Sequence, residues 1–182
     1  SYCGHEKALT YRQLIGCGID VRGTRKDDLG KGTNVLDWNH GGAGNDTLSG
    51  GPRNDIYFYD LGDGVDTIVD TTLPGAMNEI RFGAGLNLGD LEVVQGTNSL
   101  TLQAGSHGDA IVLSNYDPMG QTGSSVIGSV TFANGLHLSL DELRSFRGVT
   151  GGNGMLAGTG GPDSEKGGGG NMVQSEGFGG GR

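Results

Sequence analysis

Residues 41–49 contain the feature that most constrains the fold, the sequence Gly-Gly-Ala-Gly-Asn-Asp-Thr-Leu-Ser. Residues 50–58 repeat the frame as Gly-Gly-Pro-Arg-Asn-Asp-Ile-Tyr-Phe. Four aspartates share one nine-residue register: Asp28, Asp37, Asp46 and Asp55. A fixed short period of this kind indicates a tandem array in which every repeat places an equivalent carboxylate.

Each repeat combines glycines, one aspartate and one large apolar residue in a fixed order. The glycines permit a tight turn with positive φ that directs carbonyl oxygens inward, and the aspartate adds a hard anionic oxygen. An oxygen-only ligand set of this kind suits Ca²⁺. An EF-hand is excluded, because no stretch combines its aspartate spacing with the glutamate that closes its loop. The alternative is that Gly-Asn-Asp and Gly-Asp-Gly are ordinary surface turns.

The intact nonapeptide resembles the G-G-x-G-x-D-x-U-x repeat of the repeats-in-toxin (RTX) haemolysin-type calcium-binding proteins, where U is a large apolar residue. The resemblance implies a parallel β-roll in which two nonapeptides form one coil and each ion lies between turns of successive coils. Turns that share an ion would be eighteen residues apart, which pairs Asp28 with Asp46. Asp37 would pair with Asp55 in the same way. A looser match, G-x-G-x-D-x-U, follows at residues 62–68.

The resemblance also implies a set of metal ligands. They are Asp28, Asp37, Gly42, Gly44, Asp46, Gly51, Asp55, Asp63 and Asp66. The glycines would contribute backbone carbonyl oxygens. Some positions depart from the pattern: Gly30 and Asn39 stand where an apolar residue is expected, and Arg53 brings a cation towards the ion. We therefore expect a short roll whose best sites involve Asp46 and Asp55.

Residues 76–147 predict a second unit built from short strands. Asn78–Phe82 has the apolar alternation of a strand, and Asn134-Gly135 lies between two apolar segments, as in a tight hairpin. Leu140–Phe146 predicts a brief helix that Gly148 closes. This second unit resembles the β domain that accompanies haemolysin-type calcium-binding repeats.

The predicted fold class is therefore all-β, with a short parallel β-roll of nonapeptide calcium repeats followed by a small antiparallel β domain and a glycine-rich tail. The predicted units are residues 1–22 as the end of a preceding repeat unit, 23–75 as the RTX-like calcium roll, 76–147 as the small β domain and 148–182 as a degenerate, roll-like tail.

Two pairs of similar segments within the chain favour a repeating array. Ala8–Leu14 aligns with His137–Leu143 at an offset of 129 residues. Gly23-Thr24 aligns with Gly158-Thr159 at an offset of 135 residues. The alternative is that short pieces match by accident. The tail keeps a nine-residue glycine spacing, but Met172 stands where a ligand aspartate belongs.

Composition and charge limit the partners. The chain has 39 glycines in 182 residues and is 34% hydrophobic, below the roughly 45–50% that is usual for globular domains. Its net charge of −9 disfavours nucleic acid and anionic membranes unless a divalent cation intervenes. Acidic repeats repel one another without a cation, so we expect folding to be coupled to metal binding. The sequence contains no apolar run long enough for a transmembrane helix.

No catalytic motif is present, since neither G-x-S-x-G nor H-E-x-x-H occurs, and we do not expect an enzyme. The resemblance implies an extracellular protein, secreted by type I export or held at the cell surface. The C-terminal Gly-Phe-Gly-Gly-Gly-Arg is unlike the family's export signal, so we expect a piece of a longer protein. Cys3 and Cys17 are compatible with a disulfide outside the cell, whereas a zinc site lacks a fourth ligand.

Two functional classes remain open. The first is a calcium-dependent structural or adhesive module of a repetitive secreted or cell-surface protein. Such a module would bind calcium ions and form a homo-oligomer or filament by end-to-end roll contacts. The second is an accessory RTX export and folding region of a secreted toxin or hydrolase whose catalytic domain lies outside this chain.

Overall fold

Successive strands in the N-terminal part of the chain alternate between two sheets. The structure, a computed structural model, describes residues 18–71, 77–105, 107–116, 127–147, 149–150, 155–157 and 173–175. The first six strands are β1 (Ile19–Arg22), β2 (Leu29–Lys31), β3 (Asp37–His40), β4 (Thr47–Ser49), β5 (Ile56–Tyr59) and β6 (Val65–Ile68). The odd-numbered strands belong to one sheet and the even-numbered strands to the other. Each glycine-rich turn therefore carries the chain from one sheet to the other.

The first parallel pairs keep the eighteen-residue step of the aspartate register. Ile19 of β1 pairs with Asp37 of β3, and Leu29 of β2 pairs with Thr47 of β4. The next step in the second sheet is longer than eighteen residues, since Thr47 of β4 pairs with Thr67 of β6. The regular repeat is thus confined to the first coils.

The later strands extend the same two sheets. They are β7 (Asn78–Phe82), β8 (Leu91–Gln95), β9 (Ser99–Ala104), β10 (Asp109–Ser114), β11 (Ile127–Phe132), β12 (His137–Ser139) and β13 (Val149–Thr150), with a 3-10 helix at Leu88–Asp90 and an α-helix, α1, at Leu140–Arg147. The strand orders are β1-β3-β5-β7-β11-β12 and β13-β8-β9-β10-β6-β4-β2. Two further strands, β14 (Met155–Ala157) and β15 (Val173–Ser175), form a separate two-stranded parallel sheet.

The predicted fold class, an all-β parallel β-roll followed by a separate antiparallel β domain, is wrong. The structure has two sheets of mixed parallel and antiparallel strands together with a helix, which is an α/β-like fold. The reason is that β5 and β6 present open parallel edges, and β7 and β10 pair with them in parallel. Both sheets therefore contain strands from each side of the boundary expected near residue 75, and the domain division itself stays a prediction.

Local signals account for the helix and the last hairpin. Ser139 donates its backbone N–H to the Glu142 carboxylate at 2.8 Å, and Glu142 donates its N–H to Ser139 Oγ at 3.2 Å. This reciprocal cap begins α1 at the position that the sequence predicts. The hairpin between β11 and β12 turns at Asn134-Gly135, where Gly135 has a φ of 87°.

The buried apolar core lies between the two sheets from β4 onward. Its largest fully buried side chains are Tyr57, Tyr59, Phe132, Ile80, Leu86, Leu91, Leu100, Leu102, Ile111, Ile127, Leu143 and Val93. Among the described residues, the buried apolar set begins at Leu48, so β1 to β3 contribute none. The inward positions of β3 are instead Asp37 and Asn39, both fully buried. The first strands are therefore held mainly by backbone pairing and polar turns.

Some expectations concern residues that the structure does not describe. They include the predictions for residues 1–17, the Cys3–Cys17 disulfide and most of residues 148–182. Within the described ranges, no helix is both long enough and apolar enough to cross a membrane.

Candidate functional site

The glycine-rich turns stack into two columns. The first turn column consists of residues 23–28, 41–46 and 60–64, which lead from β1, β3 and β5 into the second sheet. The second turn column consists of residues 32–36 and 50–55, which lead back into the first sheet. Because the strands are parallel, the turns of each column stack, and residues eighteen positions apart in the first coils lie next to one another.

Carboxylates connect the turns of the first column. Asp28 donates its backbone N–H to Asp46 Oδ1 at 2.7 Å. Asp46 in turn donates its N–H to Asp66 Oδ1 at 3.0 Å. The structure therefore brings Asp28 and Asp46 together, as the eighteen-residue pairing predicts, and adds Asp66 to the same ladder.

The second column repeats this arrangement but ends differently. Asp37 donates its N–H to Asp55 Oδ1 at 2.8 Å. Asp55 donates its N–H to Asn78 Oδ1, also at 2.8 Å. An amide thus stands where the first column has the Asp66 carboxylate. The ladder of carboxylates in the second column ends at Asp55.

In the first two repeats, a threonine satisfies the aspartate of its own turn. Asp28 Oδ2 accepts the Thr24 backbone N–H at 2.6 Å and the Thr24 hydroxyl at 2.8 Å. The Thr24 backbone N–H is the main cause of a lowered pKa at Asp28. Asp37 Oδ2 accepts the equivalent pair of bonds from Thr33 at 2.5 and 3.0 Å. Burial nevertheless raises the pKa of Asp37.

In the next two repeats, a glycine replaces the threonine and the aspartate is left without its donor. Asp46 and Asp55 are each 1% exposed, and Oδ2 of each is buried without a hydrogen-bond partner. An unsatisfied buried carboxylate oxygen is costly, so these two atoms require a counter-charge or a donor. The difference between the repeats lies at one position of each turn, where Gly42 and Gly51 stand in place of Thr24 and Thr33.

The glycines are required by close contact with the preceding turn. Gly42 has a φ of 92° and Gly51 a φ of 107°, which side chains rarely adopt. A Cβ on Gly42 would collide with the Thr24 carbonyl oxygen, and a Cβ on Gly51 with that of Thr33. Backbone carbonyl oxygens of one turn therefore lie against the backbone of the next turn. This arrangement places backbone carbonyl oxygens inside the turn columns.

Electrostatics make the unsatisfied carboxylates unfavourable as free anions. Burial raises the pKa of Asp55 to about 7, and the nearby charge of Asp70 adds to the shift. Burial also raises the pKa of Asp66 to about 7, with Asp46 contributing. The pKa of Asp46 is raised for the same reason, burial first. None of the ion pairs among the described residues involves Asp46, Asp55 or Asp66.

The remaining predicted ligands lie at the end of the first column. Asp63 Oδ2 accepts the Asp60 backbone N–H at 2.8 Å, which closes its own turn. The Asp63 carbonyl oxygen accepts the Gly44 N–H at 2.8 Å. A Cβ on Gly64 would collide with the Gly44 carbonyl oxygen, so that oxygen also lies against the next turn. Arg53, which the sequence placed towards the ion, is exposed.

Asp70 has a role that the nine-residue count could not assign. Its Oδ2 accepts hydrogen bonds from the Tyr57 hydroxyl and from Asn78 Nδ2, the latter at 2.8 Å. Its Oδ1 accepts the Gly51 N–H at 2.8 Å. Asp70 therefore links the second column to the core. Asn78 follows Asp55 at a longer interval than the aspartate register, so no periodic signal could have found it.

The oxygen atoms of the columns fit Ca²⁺ only if the backbone contributes ligands. Within the described residues, no three His, Cys, Asp or Glu side chains form a metal-binding group. The first column instead offers three linked aspartates and the second column two, together with carbonyl oxygens such as those of Thr24 and Thr33. Ca²⁺ accepts mixed carboxylate and carbonyl shells of about 6–8 oxygens in flexible geometry. The residues present are therefore compatible with Ca²⁺, and the two unsatisfied Oδ2 atoms would be its anionic ligands.

Comparison with known proteins adds no identification: no family model matches the chain, and no curated protein matches it. The RTX resemblance thus rests on the residues themselves and stays a prediction.

Proposed function

We propose that the two turn columns bind Ca²⁺ and that this binding orders the first strands of the molecule. One observation carries the proposal: Oδ2 of Asp46 and of Asp55 is buried without a partner in the two repeats that have the complete Gly-Gly opening. A bound divalent cation would supply the missing counter-charge. The first site would use Asp28 and Asp46, and the second Asp37 and Asp55.

The ligand chemistry favours calcium over magnesium. Backbone carbonyls fixed by a β ladder cannot easily adopt the strict octahedron that Mg²⁺ demands, and Mg²⁺ retains its own waters. Ca²⁺ tolerates longer and less regular contacts. The carbonyl oxygens of Gly42, Gly44 and Gly51 remain candidate ligands beside those of Thr24 and Thr33.

The role that follows is a calcium-dependent structural or adhesive module of a repetitive, secreted or cell-surface protein. Millimolar calcium occurs outside the cell, where weak sites are filled. Strands β1 to β3 contribute no buried apolar side chain. A bound ion would therefore stabilise these strands in the way that hydrophobic burial stabilises the rest of the described structure. The pairing of β14 with β15 at the same eighteen-residue step supports a repetitive protein.

The proposal is tested by comparing Asp46→Ala with Asp28→Ala in a calorimetric calcium titration. Asp46→Ala should weaken calcium binding by about tenfold or more, because it removes an unshared carboxylate. Asp28→Ala should cost less, since Thr24 already occupies Asp28 Oδ2. Asp141→Ala is the matched control, because its side chain is 92% exposed on α1 and far from the ladder.

Equal losses for Asp46→Ala and Asp28→Ala would contradict the proposed difference between the repeats. A wild-type chain that takes up no calcium in this titration would contradict the function.

A further inference from the structure

The end of the molecule formed by β1 and β2 has two open strand edges. β1 is the terminal strand of one sheet and β2 is the terminal strand of the other. The two strands also contact each other, so their outer edges lie at the same end of the stack. No described strand pairs with either outer edge. A parallel edge presents evenly spaced N–H and C=O groups, which are a template for a further strand.

We call this end of the molecule the β1–β2 edge. It also carries an exposed apolar side chain and a carboxylate oxygen that accepts no hydrogen bond from a described residue. Leu29 on β2 is 81% exposed. Asp46 Oδ1 accepts the N–H of the aspartate one step earlier, but Asp28 Oδ1 accepts no such bond from a described residue. The carboxylate ladder thus stops with an available acceptor at this edge.

The C-terminal strands β14 and β15 repeat the pairing at the start of the molecule. Met155 pairs with Val173 in parallel, an interval of eighteen residues. Subtracting 135 from both numbers gives Asp20 and Trp38, which are paired partners in β1 and β3. The backbone pairing of the two segments is therefore equivalent residue for residue.

The same offset relates the sequences that follow β1 and β14. Gly23-Thr24 and Asp28 follow β1, and Gly158-Thr159 and Asp163 follow β14. An offset found in the sequence thus recurs in the strand register. We conclude that β14 and β15 correspond to β1 and β3 of a further unit of the same kind.

We propose that the β1–β2 edge binds the β14–β15 segment of a second copy of this chain, with β15 adding in parallel to β1. The inference rests on the proposed function, because calcium would order the strands that form the edge. β15 pairs only with β14 in the described structure, so its other edge is open as well. Two short strands are marginal alone and gain stability from a larger sheet.

Charge does not oppose the contact. Residues 22–31 contain four basic and two acidic residues, a local net charge of +2, although the whole chain carries a net charge of −9. The β1–β2 edge is therefore not repelled by the acidic remainder of another copy. The contact joins two different surfaces, so it leaves both ends open and propagates into a filament.

Two variants of the full chain block the two surfaces separately. Leu29→Lys places a charge at the β1–β2 edge, and Gln174→Pro removes a backbone donor from β15. In calcium, sedimentation velocity should show wild-type species larger than a dimer, and each variant alone should be monomeric. An equimolar mixture of the two variants should form dimers and nothing larger, because only one productive contact remains. Phe146→Lys is the matched control, since Phe146 is 67% exposed on α1, and this variant should assemble like the wild type.

The outcomes separate the contact from the calcium proposal. A wild type that stays monomeric in calcium while circular dichroism reports calcium-induced folding overturns the contact alone. The same assembly and variant pattern in a chelator supports the contact and contradicts the calcium role. Filaments from the mixture, or loss of assembly in Phe146→Lys, also overturn the contact. If either blocking variant fails to fold by circular dichroism, Leu29→Glu or Val173→Pro replaces it.

Discussion

At the scale of single residues, the residue four positions before each of the four periodic aspartates determines whether the Oδ2 atom of that aspartate is satisfied. Thr24 covers Asp28 Oδ2 with two hydrogen bonds, whereas Gly42 leaves Asp46 Oδ2 without one. In the sequence, the threonine looks like the loss of a glycine from the calcium pattern. In the structure, it is a substitute donor that stabilises a turn without an ion. Sequence periodicity could find the aspartates but could not show which of them were already satisfied.

Asn39 offers a test of stability that does not involve the metal. It is fully buried in β3, and both atoms of its side-chain amide lack hydrogen-bond partners. Asn39→Leu should raise the free energy of unfolding by about 1–2 kcal/mol, because it removes an unsatisfied buried amide at nearly constant volume. Urea denaturation in calcium measures the change.

Asn39→Asp is the opposing variant, since it places a charge at the same buried position and should lower stability. A Leu variant less stable than the wild type would show that the amide has a partner or a function that the geometry does not reveal.

At the scale of elements, signals that are local in sequence were sufficient to predict the last hairpin, the helix and the pairing of the first strands. The hairpin at Asn134-Gly135 and the helix capped by Ser139 and Glu142 both lie where the sequence predicts them. The eighteen-residue step between Ile19 and Asp37 also follows from the aspartate spacing. In each case the residues that specify the element lie inside it or one repeat away.

Pairings between distant strands could not be derived in the same way. Val65 of β6 pairs with Ala110 of β10 in parallel, although β7, β8 and β9 intervene. Tyr57 of β5 pairs with Ile80 of β7 after the regular step has ended. The alternation of apolar residues shows that a segment is a strand but does not show which edge it joins. This is why the predicted fold class failed while most of its strands are present.

At the scale of the whole molecule, different regions have different kinds of interior. The later strands enclose an apolar core around residues such as Ile80, Leu102 and Val130, all fully buried. The first strands instead place Asp37 and Asn39 inside. Hydrophobic burial therefore stabilises one region, and the proposed ions stabilise the other. Without calcium, the first strands should be the least stable part of the described structure.

The stability of the calcium-free chain should fall as pH rises from about 5 to about 8. Burial raises the pKa of Asp55 and of Asp66 to about 7, so the folded state binds more protons than the unfolded state in this range. That contribution is present at the lower pH and is lost as these carboxyls ionise. His40 acts in the opposite direction, because burial lowers its pKa and the folded state then disfavours its protonation.

The pH effect is isolated by comparing melting temperatures of the wild type and of Asp55→Asn/Asp66→Asn in calcium-free buffer. The wild type should lose stability towards high pH more steeply than the double variant. Added calcium should reverse the wild-type slope, because the ion favours the ionised carboxylates. Identical slopes for the two proteins would show that these aspartates titrate normally.

The most direct test of the account is a calcium titration of the chelated chain followed by circular dichroism and thermal melting. We expect calcium to increase the β signal and raise the melting temperature, and magnesium at the same concentration to do neither. If chelation leaves both the β signal and the melting curve unchanged, the turn columns do not bind calcium and the central claim is wrong.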